Sequence, residues 1–425
     1  MLSRIPPLAV TLVVIGILAP AAVDARWLTR APMQEARQEV SVAALSGEVY
    51  VAGGFRQDGS AVATVEVYEI AADRWRFAEP LPVPLDHAAA AAAGGKLYVF
   101  GGFLGGAAVD VTLEYDPTTN RWTAKAPMPT PRGALAAAVI DGKIYAVGGA
   151  RSGRSVGDLA VYDPGRDRWQ PLPPMPTARD HLGAGAIGGR LYVVGGRDQG
   201  TLTRDALEAF DPPSGAWSRR APMPTGRSGI AAAVVGDRLF VFGGEGNARD
   251  PRGIFQEVEA YDPAADTWTS EPPMPTPRHG IGAAVQLADI YIPGGATVQG
   301  FGVTDTHQVF RVEPTGIVIT LAGCQVCAPG DRFAVDVQVA NGRGAPLSVE
   351  VKVGVRAPDG TPQSVLPSRH LELTLPRGEL GPFRILDLPL PAGLQPGQWQ
   401  VEGALLEPEL GETLVRERRP FTVLP

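Results

Sequence analysis

Between residues 27 and 312 the chain is built from short apolar runs broken by glycine and proline. No apolar stripe at helical spacing is long enough for an amphipathic helix. The runs fall into units of four. The first run of a unit is small and apolar, as in residues 134–140, and the second ends in a diglycine, as in LYVFGG at 97–102 or IYAVGG at 144–149. The third ends in tyrosine and a turn, as in VYDPGRDRW at 161–169, and the fourth starts at the tryptophan and stops at a proline-rich segment such as APMPT. Each run has the length of a strand and each break has the chemistry of a turn. Asp-Pro joins a side chain that bonds its own backbone to a fixed φ, and diglycine lets backbones approach where a side chain would not fit. The pattern predicts an all-β chain made of four-stranded units.

Two markers share one period. Diglycines begin at Gly53, Gly101, Gly148, Gly195, Gly243 and Gly294, and tryptophans stand at 27, 75, 122, 169, 217 and 268, with spacings of 48, 47, 47, 48 and 51 in both series. Such self-similarity is the signature of a repeat architecture. The diglycine, the Tyr/Phe-Asp and the tryptophan about six residues further on resemble the kelch repeat, over about 285 residues. That resemblance implies a β-propeller with one four-stranded blade per repeat. Blade one departs slightly, with Tyr68-Glu69-Ile70 in place of Tyr-Asp-Pro, and blade six has no tryptophan strand after its third run. An orphan copy of that strand, Trp27-Leu28-Thr29-Arg30-Ala31-Pro32-Met33, lies ahead of the first repeat. The expectation is a six-bladed ring closed by this N-terminal strand, because closure removes exposed sheet edges.

The two ends of the chain read differently from the repeat. One basic side chain in residues 1–4, an apolar run at 8–18, Pro20 and AAVDA at 21–25 make the pattern of a secretory signal peptide, with cleavage expected after Ala25. The apolar run is shorter than the ~20 residues that span a bilayer, so no stable membrane span is expected after cleavage. The mature protein is expected in the periplasm or outside the cell. Beyond Val312 the diglycines stop. Phe333, Val335, Val337 and Val339 alternate with polar or small residues, as do Val349, Val351, Val353 and Val355, and further strands are expected at 370–375, 383–388, 399–405 and 421–424. Turn signals separate them, which suggests an immunoglobulin-like β-sandwich. The expected domains are thus 1–25, signal peptide; 26–312, propeller; and 313–425, sandwich. Cys324 and Cys327 flank Gln325-Val326 at the start of the sandwich. With no helix to lower a thiol pKa and no second ligand pair, a local disulfide is expected rather than a redox or metal site.

Composition narrows the function classes. Of 425 residues, 52 are glycine and 41 proline, 44% are hydrophobic and 20% charged, which excludes a chain disordered throughout. A net charge of −7 gives no general attraction to nucleic acid. There is no phosphate-cradling glycine loop that opens a helix, no nucleophile elbow and no His-Glu-x-x-His helix.

The candidate chemistry lies at one mouth of the propeller. Sixteen residues before the first glycine of each pair stand Arg37, Leu85, Arg132, Arg179, Arg227 and Arg278. In an antiparallel blade this position falls at the same end as the loop after the diglycine, which kelch-like propellers use for binding. Arg197 lies in such a loop, while His87, His181 and His279 stand one or two residues past the arginine position, with Asp86 and Asp180 beside the first two. One role for the arginines is a cationic pocket for an anionic or hydroxylated ligand, since guanidinium forks pair with carboxylates. The other is a structural bridge to backbone carbonyls. Copper radical oxidases also join a kelch propeller to a β-sandwich, but they need a cysteine that this propeller lacks. Sialic-acid mutarotases are six-bladed kelch proteins thought to use an acid and an arginine, for which Glu245 with Arg252 or Arg249 is the corresponding pair here. The function expected is non-catalytic binding of a protein or carbohydrate ligand through an arginine-rich mouth, with no metal and no cofactor. The alternative is a carbohydrate-active enzyme of the mutarotase kind, with Glu245 and Arg252 as its catalytic pair.

Overall fold

A computed structural model describes residues 27–312 apart from Leu287 and, beyond residue 315, the strands that follow with some of their turns. The expected signal segment and Cys324 lie outside the described residues.

The propeller consists of six four-stranded sheets. Blade one runs Ser41–Leu45, Glu48–Ala52, Val65–Glu69 and Arg74–Phe77. Blade two runs Ala89–Ala93, Lys96–Phe100, Thr112–Asp116 and Arg121–Ala124. Blades three, four and five repeat the order from Ala136–Ile140, Gly183–Ile187 and Ala231–Val235. Blade six takes Ala284–Gln286, Asp289–Pro293 and His307–Arg311, and its outermost strand is Trp27–Thr29, antiparallel to the third with Trp27 opposite Phe310.

The sequence explains the layering. The second strand of each blade is apolar on both faces because blades cover it from both sides: Val49, Tyr50 and Val51 are all buried. The hydrophobic core is the set of seams between blades. One seam joins Tyr50 and Val67 of blade one to Val99 and Tyr115 of blade two, and another joins Val42 and Val51 to Tyr291 and Val309 of blade six.

Both markers of the repeat have a structural cause. A Cβ on Gly101 would stand 2.5 Å from the Arg132 carbonyl oxygen, and one on Gly102 would stand 2.7 Å from that of Asp86; both glycines have positive φ. The Gly102 N–H then donates to the Arg132 carbonyl at 3.0 Å, and the series of such bonds from blade to blade returns through Gly295 N–H to the Arg37 carbonyl at 2.8 Å. Each tryptophan indole N–H donates to a carbonyl in the proline-rich stretch of the preceding blade. Trp75 bonds Ala31, Trp122 bonds Glu79, Trp169 bonds Ala126, Trp217 bonds Pro173, Trp268 bonds Ala221 and Trp27 bonds Pro272. The repeat tyrosine has a partner too. Tyr68, Tyr162 and Tyr261 donate to Asp73, Asp167 and Asp266, and Tyr115 to Asn120, each partner holding a left-handed turn. Blade four carries Phe210, and Gly215 makes its turn. Blade one replaces the Asp-Pro turn with a short 3-10 helix at Ile70–Ala72.

Beyond the propeller, two sheets are described. Gly316–Gly323, Arg332–Asn341 and Gly378–Pro389 form one; the other is built around Leu347–Arg356, Gly397–Leu406 and Thr413–Val423. Phe333 of the first sheet lies 4.5 Å, ring to ring, from Phe421 of the second, with Trp399 buried nearby. The last strand is longer than its apolar tail at 421–424, because its first half, rich in charge, pairs along Gly397–Leu406. Cys327 is buried and disulfide-bonded. Among the described residues no helix is long and apolar enough to cross a membrane.

Candidate functional site

The start of each innermost strand and the loop after each diglycine do meet at one end. Asp86 bridges Phe103, Asp180 bridges Arg197, Ser228 bridges Glu245 and His279 bridges Ala296. One residue further along the strand, each blade contributes to a closed ring of backbone hydrogen bonds about the axis. Glu39 N–H donates to Gly280, His87 to Glu39, Ala134 to His87, His181 to Ala134, Gly229 to His181 and Gly280 to Gly229, all at 2.8–3.1 Å. These six residues have φ between +52 and +65. They line a cavity of about 80 Å³ on the axis.

The arginines are not in it. Arg37, Arg132, Arg179, Arg227 and Arg278 are all 0% exposed, which corrects the expectation that they form a ligand-binding mouth. The physical reason is the diglycine. Where the second strand curls away, its last carbonyls lose their ladder partners, and a buried carbonyl must find a donor. The guanidinium supplies it. Arg37 bonds the Gly53 carbonyl at 2.6 Å, Arg227 bonds Gly243 at 2.8 Å, and Arg278 bonds Gly294 and Ile292 at 2.6 and 3.0 Å. Arg132 and Arg179 reach Ala146 and Val193 in the same way. Three of the arginines are neutralised inside the blade, Arg37 by Glu66, Arg179 by Glu208 and Arg227 by Glu259. Arg278 has the amide of Gln308 instead, and burial lowers its pKa to about 9. Burial likewise brings Arg132 down to about 10.

What the mouth does hold is a smaller, more acidic group. His87 Nδ1 lies 2.6 Å from Asp86, and its Nε2 lies 3.3 Å from Glu39. His181 Nδ1 lies 2.6 Å from Asp180, and its Nε2 accepts from Arg197 at 3.0 Å. Arg197 also bonds Asp180 at 3.1 Å and Glu245 at 2.7 Å. His279 is buried, gives Nε2–H to the Val298 carbonyl, and holds Nδ1 3.6 Å from Glu245 without a hydrogen-bond partner. Four carboxylates, Glu39, Asp86, Asp180 and Glu245, thus face one arginine and three imidazoles. At the centre of the mouth carboxylates outnumber guanidinium groups. Burial works against the Glu39 carboxylate, yet His87, His181, His279 and Arg197 together hold its pKa below the usual range. Burial lowers the His181 pKa; at His87 burial is outweighed by Glu39 and Asp86, and the pKa is raised.

Glu245 has Arg197 as its arginine. Arg252, expected as its catalytic partner, is paired with Asp250 on a surface loop with its side chain 48% exposed.

This geometry has a family. The chain matches the KLHDC2/KLHL20/DRC7 Kelch-repeats domain over residues 24–177 and 173–313. It belongs to the kelch-repeat family. Among curated relatives, the Kelch-like protein terF of Aspergillus terreus is 43% identical over 67 residues, 16% of this chain and 15% of that protein. Beta-scruin of Limulus polyphemus is 32% identical over 77 residues, 18% of this chain and 8% of that protein. The matches thus span a small part of either relative. Among solved structures, that of YjhT aligns over 66% of this chain and 99% of its own with a TM-score of 0.55 at 20% identity, which speaks to the kelch propeller fold.

Two signals in the kelch repeats were legible and missed. The third strands carry Glu66, Glu208 and Glu259 in three of the five blades that have the arginine, with Ala160 and Gln308 in the other two, and blade two sets Leu85 with Leu113, apolar against apolar. A repeated arginine and glutamate in three blades, both absent from blade two, is a signal of an internal pair. The second is the axial register Glu39, His87, Ala134, His181, Gly229 and Gly280, which repeats at the diglycine spacing.

Proposed function

We propose that this kelch protein is an exported, non-catalytic binding module that docks a polypeptide ligand on the mouth-side loops of its propeller, around the axial cluster. One observation carries the reading. Among the described residues, Leu104, Leu202, Val298 and Phe301 are large apolar side chains left 38–49% exposed, and all four sit in loops that follow a diglycine on this one face. Exposed apolar groups on the loops of three blades, set about a polar centre, suit an interaction surface. They favour a protein over a carbohydrate ligand. Within this reading residues 1–25 direct export, residues 26–33 hold the ring shut by joining blade six to blade one, and residues 313–425 form an immunoglobulin-like sandwich that acts as a spacer or second contact surface. The disulfide made by Cys327 fits an oxidising compartment.

A second reading rests on Glu245. It is buried at the mouth with its carboxylate between Arg197 and the Gly300 N–H, an acid and an arginine of the kind a mutarotase uses.

A peptide and glycan array probed with the full chain separates these. Binding that is lost in Leu202→Asp and Phe301→Asp but kept in Phe77→Asp, on an outer strand, supports docking. Binding that ignores the loop changes refutes it. Accelerated anomer exchange of an acidic sugar, measured by NMR and abolished by Glu245→Gln, favours the enzyme instead.

A further inference from the structure

We infer that Glu39, His87 and His181 form a binding site for a divalent transition-metal cation of the zinc type on the propeller axis. This goes beyond the docking reading and does not depend on it, since it concerns the centre of the mouth and not its loops.

The donor atoms are already gathered: one from each residue lies within 4.8 Å of the others. A tetrahedral ion with bonds of about 2.0–2.1 Å holds its ligands about 3.3 Å apart, and His87 Nε2 stands 3.3 Å from Glu39 Oε2. Both imidazoles are prepared in the same way. Each has an aspartate on Nδ1, which holds a proton there, so Nε2 is the atom left to face a metal: at His87 it stands against Glu39 Oε2, and at His181 it accepts from Arg197. Carboxylate–histidine pairs of this kind orient metal ligands. In the six-fold register, histidine appears at two positions and is preceded by aspartate at both. The other four positions are preceded by Gln38, Gly133, Ser228 and His279.

Glu39, His87, Ala134 and His181 all sit at φ of +52 to +53 and Gly229 and Gly280 hold the same register at +65 and +58, so the left-handed backbone belongs to the ring as a whole. Ala134 stands between the two histidines in the ring and Gly229 and Gly280 bring no side chain, so the axial cavity they line has room for the water or ligand atom that completes the coordination shell, although the Glu39 carboxylate lies over Gly280.

Two imidazoles and one carboxylate suit zinc and its neighbours, whereas calcium and magnesium want more oxygen donors. Four carboxylates against one arginine make the site attractive to a cation. Arg197 is the competitor, because its Nη2–H occupies the His181 lone pair. On metal binding it gives up that bond and keeps Asp180 and Glu245.

The test is titration of the full chain, tag-free and stripped with a chelator, with Zn²⁺ by calorimetry and Co²⁺ by visible absorbance. One equivalent should bind, with the d–d bands of a low-coordinate Co²⁺ site. His87→Ala and His181→Ala should each weaken binding at least about 100-fold, and Asp180→Asn about 10- to 100-fold, while His370→Ala should change nothing. Ala134→His places a third imidazole in the ring at a φ that histidine already adopts there, and it should tighten binding. Arg197→Gln should do the same by freeing His181. Absence of stoichiometric binding overturns the inference, as does binding indifferent to both histidine changes in variants with parental melting curves. If those variants do not fold, failure of both Ala134→His and Arg197→Gln to tighten binding overturns it.

Discussion

Deleting residues 26–33 tests whether this segment holds the ring shut. The segment touches both blades that it would join. Trp27 donates to Pro272 at 3.0 Å and lies edge-on to Phe310 and Phe242 at 5.1 and 6.0 Å in the blade-five and blade-six seam. Further along, Ala31 N–H donates to Asp73 of blade one, and the Ala31 carbonyl accepts from Trp75 at 2.8 Å. Met33 is 3% exposed and donates its N–H to Asp305 at 2.9 Å. Truncating a fully buried Trp to Ala costs about 3–5 kcal/mol, so the half-buried Trp27 is worth about 2–3 kcal/mol. Met33, fully buried, adds about 2–5 kcal/mol. The strand bonds come on top. The total is comparable to the ~5–15 kcal/mol that separates folded from unfolded protein. At about 2–4 °C per kcal/mol for a unit of this size, Trp27→Ala should lower the melting temperature by roughly 4–12 °C, and the deletion should leave the ring largely open at 37 °C. Differential scanning calorimetry of the parent, Trp27→Ala, the deletion, and Trp217→Ala measures this; Trp217 makes the equivalent bond to Pro173 within a continuous repeat. A synthetic peptide of residues 26–33 should restore part of the deleted variant's transition. A deletion variant that melts cooperatively within about 2 °C of the parent, less than the effect of losing 1 kcal/mol, would refute the reasoning.

Three further outcomes follow from the buried groups. Arg227→Met or Glu259→Gln leaves one buried charge unpaired and should cost about 3–5 kcal/mol in urea unfolding; combining Arg227→Leu with Glu259→Leu in the same experiment should recover much of it, because blade two already carries Leu85 against Leu113, both buried. Burial holds the His307 pKa at about 3 against 6.5, so the unfolded chain takes up a proton that the folded chain refuses. Stability should be full above about pH 6.5 and fall as the pH drops toward 3, at up to about 1.4 kcal/mol per pH unit. His307→Phe should flatten that acid limb, and an unchanged limb would assign it to other groups. Gly102→Ala should cost well beyond the ~1–2 kcal/mol of a left-handed alanine, since its Cβ would meet the Asp86 carbonyl oxygen at 2.7 Å; Gly105→Ala, with positive φ but nothing within 4 Å, should cost only that backbone penalty, as paired thermal melts would show.

The repeat was readable in the chain because its markers do local work. A diglycine forces a positive φ, an Asp-Pro makes a turn, and a tryptophan every 47–51 residues seats one outer strand on its neighbour. Six blades and their four-strand order follow from such positions one at a time. The role of the arginines did not follow, although partner glutamates stood 29, 29 and 32 residues after three of them. An arginine sixteen residues before a diglycine is a ligand-facing cation or an internal donor depending on where the guanidinium ends. That depends on which carbonyls the curling strand leaves unpaired, a fact of the folded blade. The axial cluster is less local still. Glu39, His87 and His181 come from three blades and span 142 residues of chain, and only the circular arrangement of the sheets brings their side chains within reach of one another. By itself the sequence determined the strands, the turns and the number of blades, since each is set by the conformational limits of a few adjacent residues. The tertiary structure alone decided which charges are buried and which meet at the axis, because electrostatics acts through space and the ring makes neighbours of residues that the chain keeps far apart.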